Sequence, residues 1–187
     1  MNSIKVFIIH GFRGSPNGGW RPDLMAGLEK HDIYACSLSM PNPEEPLLAE
    51  WLEEIDRHIE RNKNDDIYLV GHSLGGTTIL RYFENFEPIN VKGIISVSAP
   101  CHKNENSRIG NFLQTDFNWK IIREKVSDIV VIHGDDDPNV PVSDAKEIAD
   151  QLDGKLILIS NGKHLNGSAG FTKLPEVCEA LLNMIKK

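Results

Sequence analysis

The run Asp66-Ile67-Tyr68-Leu69-Val70 has the β-branched and aromatic content of a buried strand. It passes through Gly71-His72-Ser73-Leu74-Gly75 into Gly76-Thr77-Thr78-Ile79-Leu80-Arg81-Tyr82-Phe83, which has helical patterning. A strand that becomes a helix within five residues must pass through a strained backbone centred on Ser73, which lifts the hydroxyl clear of the sheet edge. The residues two before and two after are thereby drawn together, and only glycine fits both places. Gly-x-Ser-x-Gly at such a junction is the pattern of a nucleophile elbow. A random chain of this length holds the bare pattern roughly once in fifteen to twenty cases, so its weight comes from what surrounds it.

The surroundings alternate strand and helix without repeats or linkers. Ile4 to Ile9 is continuously apolar, as a parallel strand covered on both faces would be. The glycine-rich loop His10 to Gly19 follows, then a helix from Trp20 to Lys30 with Trp20, Leu24 and Leu28 on one face, and a second strand from Ile33 to Leu38. The proline-punctuated run Pro41 to Pro46 leads into an amphipathic helix. Leu48, Trp51, Leu52, Ile55 and Ile59 form its apolar face, and Glu53, Glu54, Arg57 and Glu60 are expected in water. After the Ser73 turn come a fourth strand from Val91 to Ser98, a helix near Trp119 to Lys125, a fifth strand from Asp128 to His133, a helix from Ser143 to Leu152, a sixth strand from Lys155 to Ser160 and a helix from Leu174 to Ile185. This order predicts an α/β fold with a parallel sheet and helices on both faces, in one domain over 1–187. The irregular stretch from Cys101 to Asn118 is expected to be a lid or binding loop.

The net charge of -7 and the pI near 5.5, with no basic cluster, argue against a nucleic-acid or anionic-membrane surface. The three cysteines, Cys36, Cys101 and Cys178, are widely spaced without metal-like pairing and suit a reducing compartment, so a cytoplasmic protein is expected. The N-terminal apolar run is short, meets His10-Gly11 without a small-residue cleavage site and is expected to be a strand, not a signal peptide. The loop after it has neither G-x-G-x-x-G spacing nor a Gly-Lys-Ser/Thr ending, which removes dinucleotide and nucleoside triphosphate readings.

In a parallel sheet, ligands bind beyond the carboxyl ends of the strands, where every candidate group falls. A serine hydroxyl needs a base to take its proton and a third group to orient that base, and in a hydrolase of this architecture they follow in the order serine, acid, histidine. The acid belongs after the fifth strand, in Asp135-Asp136-Asp137-Pro138-Asn139-Val140-Pro141. Asp137 is favoured because the proline steps fix the turn after it, with Asp135 as the alternative. Of the seven histidines, His164 lies after both the acid and the last strand and is the candidate base. Candidate backbone donors for a developing oxyanion are the amides of Leu74, opening the helix after the turn, and Phe12, with Gly11 as fallback. His10 and His133 are expected to be structural, and His72 to turn away from the site. Cys101 lacks framing glycines and is not expected to be a nucleophile. Trp20, Phe112 and Trp119 either line an acyl pocket or pack in the core.

Together these features resemble the α/β-hydrolase fold, and more narrowly the small retinoblastoma-binding serine hydrolases and their bacterial relatives. The likeness rests on His10-Gly11, Gly71-His72-Ser73-Leu74-Gly75, the Phe112-to-Trp119 stretch, Asp136-Asp137-Pro138 and Gly162-Lys163-His164. It implies a three-layer fold whose six parallel strands run in the order 2-1-3-4-5-6, with Ser73, Asp137 and His164 as catalytic residues. Relatives commonly have Gly-His where this chain has Lys163-His164. The expected activity is cleavage of a small carboxylic ester through an acyl-enzyme, without cofactor or metal. The alternatives are an amidase, peptidase or acyltransferase using the same residues, or a non-catalytic interaction protein.

Overall fold

The computed structural model describes residues 2–88, 90–103, 106–126 and 128–186. Six strands, β1 (Ile4–Ile9), β2 (Tyr34–Ser37), β3 (Asp66–His72), β4 (Val91–Val97), β5 (Ile129–Gly134) and β6 (Lys155–Ile159), form one sheet in the order β2-β1-β3-β4-β5-β6. Every pairing is parallel, as the alternation of elements requires.

The apolar runs in the strands are continuous because successive side chains go to opposite layers. Phe7, Ile9, Ile67, Leu69, Ile94 and Val131 pack under α2 (Leu48–Arg61), α3 (Leu74–Asn85), α4 (Trp119–Lys125) and α5 (Val142–Leu152). Val6, Ile8, Tyr68, Val70, Ile95, Val97, Val130 and Ile132 pack on the other face, against α1 (Arg21–Glu29) and α6 (Pro175–Ile185). Among the described residues no helix is long and apolar enough to cross a membrane.

One expectation for α2 fails. Glu54 is buried, not in water, because it lies at the margin of the apolar arc, forms an ion pair with Arg57 and packs beside His58 on the same helix. The stretch after β4 is more ordered than its polar sequence indicates. Asn104 and Glu105 lie outside the described residues, but Ser107–Phe112 forms a 3-10 turn, and Ile109, Phe112, Leu113 and Phe117 are all buried. Arg81 of α3 holds this segment by donating to the carbonyls of Phe112, Thr115 and Asp116, and its guanidinium lies 3.7 Å from the centroid of the Phe117 ring.

The chain runs from β1 to β2 on one side and returns to β3 on the other, so the loops after β1 and β3 diverge from adjacent strand ends. This is the switch point at which parallel sheets bind ligands. Ile9 is in register with Gly71, so Gly11 and Ser73 come together just beyond the sheet.

Candidate active site

Ser73 stands between β3 and α3 with φ 53 and ψ -122, a conformation that costs a non-glycine residue energy and persists only where packing over-determines it. The packing here is backbone against backbone. A Cβ on Gly71 would stand 2.4 Å from the Gly76 backbone, and one on Gly75 would stand 2.2 Å from the Ile9 carbonyl oxygen in β1. Gly75 is thus required by the neighbouring strand as much as by the turn itself. Gly11 is equally confined, since a Cβ there would meet Ser73 Cβ at 2.9 Å.

The second component arrives from the far side of the sheet. β6 lies three strands from β3, about 14 Å at the usual strand spacing, so the loop after β6 must travel back over the strand ends to reach Ser73. It does so through a contorted backbone, with positive φ at Asn161, Lys163 and Leu165. Lys163 therefore occupies a conformation that suits glycine, and its side chain is exposed. The loop is fastened at several points. Asp135 accepts from the Asn161 amide (2.9 Å) and the Ser160 hydroxyl (3.2 Å), Asp136 accepts from the Lys163 amide (2.7 Å), and the Trp20 indole donates to the Leu165 carbonyl (2.8 Å). Gly134 allows the closest approach, because a Cβ there would lie 2.1 Å from the Lys163 carbonyl.

Held in this way, His164 lies between the other two groups. Its Nδ1 is 2.8 Å from Asp137 Oδ2 and its Nε2 is 3.0 Å from Ser73 Oγ. A carboxylate can only accept, so Nδ1 carries the proton, and the bare Nε2 faces the serine hydroxyl. Oδ1 of Asp137 accepts from the amides of Asn139 and Val140, at 2.8 and 3.1 Å, in the turn stiffened by Pro138 and Pro141. The Asp137 side chain is fully buried, which acts against its charge. The hydrogen bond and charge of His164 and the two amides outweigh that burial and hold its carboxyl below the usual aspartate range.

Neither Phe12 N–H nor Leu74 N–H has a hydrogen-bond partner among the described residues. Both flank Ser73, and Leu74 is the first residue of α3, where unpaired amides and the helix dipole favour negative charge. Two cavities meet at Ser73, one of about 260 Å³ on the glycine-loop side and one of about 470 Å³ reaching Pro100, Ile109 and Val140. Phe12, Ser73, His164 and Asn166 border both.

His10 and His133 are buried, with Nδ1 of His10 2.9 Å from the Gly11 carbonyl and Nε2 of His133 3.0 Å from that of Val140. His72 differs from expectation. It borders the cavity beside Ser73, and its Nε2–H donates to the His164 carbonyl at 2.9 Å, so it supports the loop rather than turning away. Trp20 and Phe112 are core residues with no exposed surface, whereas Trp119 is half-buried, stacks on Phe117 and borders neither cavity at Ser73. Burial and the Asp144 charge push the Cys101 thiol well up, as befits an inert cysteine. Cys101, His102 and Asp144 bring their ligand-type atoms within 4.8 Å of one another, but an Asp144 oxygen already accepts from the amides of Cys101 (2.9 Å) and His102 (3.3 Å).

His72 also gives the protein a pH dependence. Burial, then the neighbouring His164 charge, pushes its imidazole from 6.5 down to about 3. Between those values the unfolded chain takes up a proton that the folded chain refuses, so stability falls as pH drops from about 6.5 towards 3. In His72→Gln, which has nothing to titrate there, urea midpoints should decline less steeply than in wild type between about pH 7 and about pH 4.5. Equal slopes would remove His72 from the account.

The sequence model of the serine hydrolase family matches residues 6–183. The chain is 35% identical over 185 residues to hydrolase YdeN of Bacillus subtilis, covering 98% of this chain and 97% of that protein. It is 28% identical over 183 residues to serine hydrolase RBBP9 of Rattus norvegicus, covering 95% of each. The crystal structure of the B. subtilis ydeN gene product superposes with a TM-score of 0.92 at 34% identity, over 99% of this chain and 100% of that one. Est1E from Butyrivibrio proteoclasticus shares the fold, with a TM-score of 0.80 at 18% identity over 100% of this chain and 90% of that one.

Proposed function

The chain belongs to the serine hydrolase family, and on that premise we propose that it cleaves small carboxylic esters through an acyl-enzyme intermediate. The observation that carries this reading is the unbroken chain of contacts from Ser73 Oγ through His164 to Asp137, at 3.0 and 2.8 Å.

In the proposed reaction Ser73 Oγ attacks the ester carbonyl carbon while its proton passes to His164 Nε2. Asp137 holds the ring in the required tautomer and stabilises the imidazolium that forms. The carbonyl oxygen becomes an oxyanion and takes hydrogen bonds from the Phe12 and Leu74 amides, which need no reorganisation to receive it. Collapse of the tetrahedral intermediate breaks the bond to the alcohol, and the imidazolium protonates the departing oxygen. A water molecule, deprotonated by the same imidazole, then attacks the acyl group. The acid leaves and Ser73 regains its proton.

The ester and one water molecule supply every atom of the products, and the side chains relay the protons. The two cavities that border Ser73 leave room for both the acyl and the alcohol part of a small-molecule ester. Mixing the protein with p-nitrophenyl acetate should release about one equivalent of p-nitrophenol per chain ahead of the steady state, and intact-mass measurement should find one added acetyl group. A folded protein that neither acquires the acetyl group nor turns over any short p-nitrophenyl ester would contradict the reading and favour an interaction protein on the same fold.

A further inference from the structure

Arg21 opens α1 and is 5% exposed, yet it faces no carboxylate among the described residues. Its Nε donates to the Ser15 carbonyl at 3.1 Å, and its guanidinium lies 5.9 Å from the Trp20 ring centroid. The two Nη groups have no protein acceptor among the described residues, and they are not sealed off, because the residue borders the smaller cavity at Ser73. A Cβ on Gly18 would strike Nη2 at 2.6 Å, so the glycine leaves the room that the fork occupies.

Burying a guanidinium without a counter-ion costs several kcal/mol, and natural chains pair such groups internally. This chain has 27 acidic residues and a net charge of -7, yet none of the residues bordering that cavity is acidic. The nearby Arg13 is already paired with Glu44 at 2.8 Å on the surface. Burial lowers the Arg21 guanidinium to about 10, which leaves it cationic at neutral pH. A planar cation at the first residue of a helix, fastened through Nε to the Ser15 carbonyl with its Nη donors unused among the described residues, matches a carboxylate.

The two cavities differ in character. The larger one is of mixed character and uncharged apart from His164, with Pro100, Ile109, Pro138 and Val140 beside Asn139 and Asn166, and the one containing Arg21 offers charge and glycine backbone. A substrate whose ester carbonyl lies at Ser73 extends into both. We propose that the preferred substrates are esters bearing a free carboxylate, which the Arg21 guanidinium binds in the glycine-loop cavity while the rest of the molecule occupies the larger one. This rests on the esterase reading above and adds the substrate class. Arg21 is then the specificity-determining residue, and its bond to Ser15 keeps the glycine loop in place around the bound anion.

The test compares two matched pairs of esters. Mono-p-nitrophenyl adipate against p-nitrophenyl hexanoate places the carboxylate on the acyl side, and 4-acetoxybenzoate against 4-acetoxybenzamide places it on the alcohol side. In wild type the anionic member of one pair should have a kcat/KM about tenfold or more above its neutral partner. That ratio should fall to about one in Arg21→Gln and to an intermediate value in Arg21→Lys, which keeps the charge but loses the fork. A purely structural role for Arg21 would lower both members of a pair together and leave the ratio intact, which would overturn the proposal. A wild-type ratio at or below one in both pairs would overturn it without any variant. Turnover without selectivity defeats the carboxylate proposal alone, whereas failure to turn over any of the four esters defeats the esterase reading with it.

Discussion

Replacing His164 by alanine should lower kcat/KM for a p-nitrophenyl ester roughly ten-thousand- to a million-fold while the protein remains folded. In the proposed reaction His164 Nε2 is the acceptor of the Ser73 proton, at 3.0 Å, and Ser73 Oγ has no other hydrogen-bond partner among the described residues. Without the imidazole a neutral alcohol must attack, and the departing alkoxide leaves unprotonated. The structural cost is smaller. Asp137 loses the partner of Oδ2 but keeps the Asn139 and Val140 amides on Oδ1, so the variant should lose about 1–3 kcal/mol of stability. A loss of activity below about tenfold would mean that another group takes the proton.

The second large effect is on folding. Gly75→Ala should lower stability by about 3 kcal/mol or more, because its Cβ would lie 2.2 Å from the Ile9 carbonyl oxygen and 2.7 Å from that of His10. Both atoms are backbone, and β1 is paired on either side with β2 and β3, so neither can move alone. Separating α3 from β1 would also displace the Gly11-Phe12 segment that faces Ser73. For a chain of this length the melting temperature should fall by about 6–12 °C. Gly110→Ala is the matched control, since a Cβ there meets nothing within 4 Å, and it should melt within about 2 °C of wild type. Equal melting of the two variants would show that the turn is not packed as described.

Much of this architecture is legible in the sequence because it depends on local pattern. Continuous apolar runs such as Ile4 to Ile9 announce strands buried on both faces, and the glycines around Ser73 announce a backbone crossing. What stays hidden depends on which loops meet after the sheet has formed. Asp135 and Asp136 look like rivals of Asp137, yet each accepts amides of the loop carrying His164. Their work becomes visible only once β5 and β6 are known to be neighbours. His72 is one residue from Ser73 in sequence but supports the His164 carbonyl 92 residues away. Nothing in the local pattern marks Arg81 as the clamp on the segment after β4 or Arg21 as buried beside the site. Glu54 fails for a related reason. Helical spacing fixes its angle on α2, but the pairing with Arg57 decides that it can be buried.

The most direct measurement is covalent capture of the serine itself. A fluorophosphonate probe reacts with a hydroxyl only where a base has activated it and an oxyanion site receives the phosphoryl oxygen. Wild-type protein should take up one probe per chain on the peptide containing Ser73, and Ser73→Ala, shown to be folded by its melting curve, should take up none. Equal labelling of both proteins, or no labelling of folded wild type, would contradict the account.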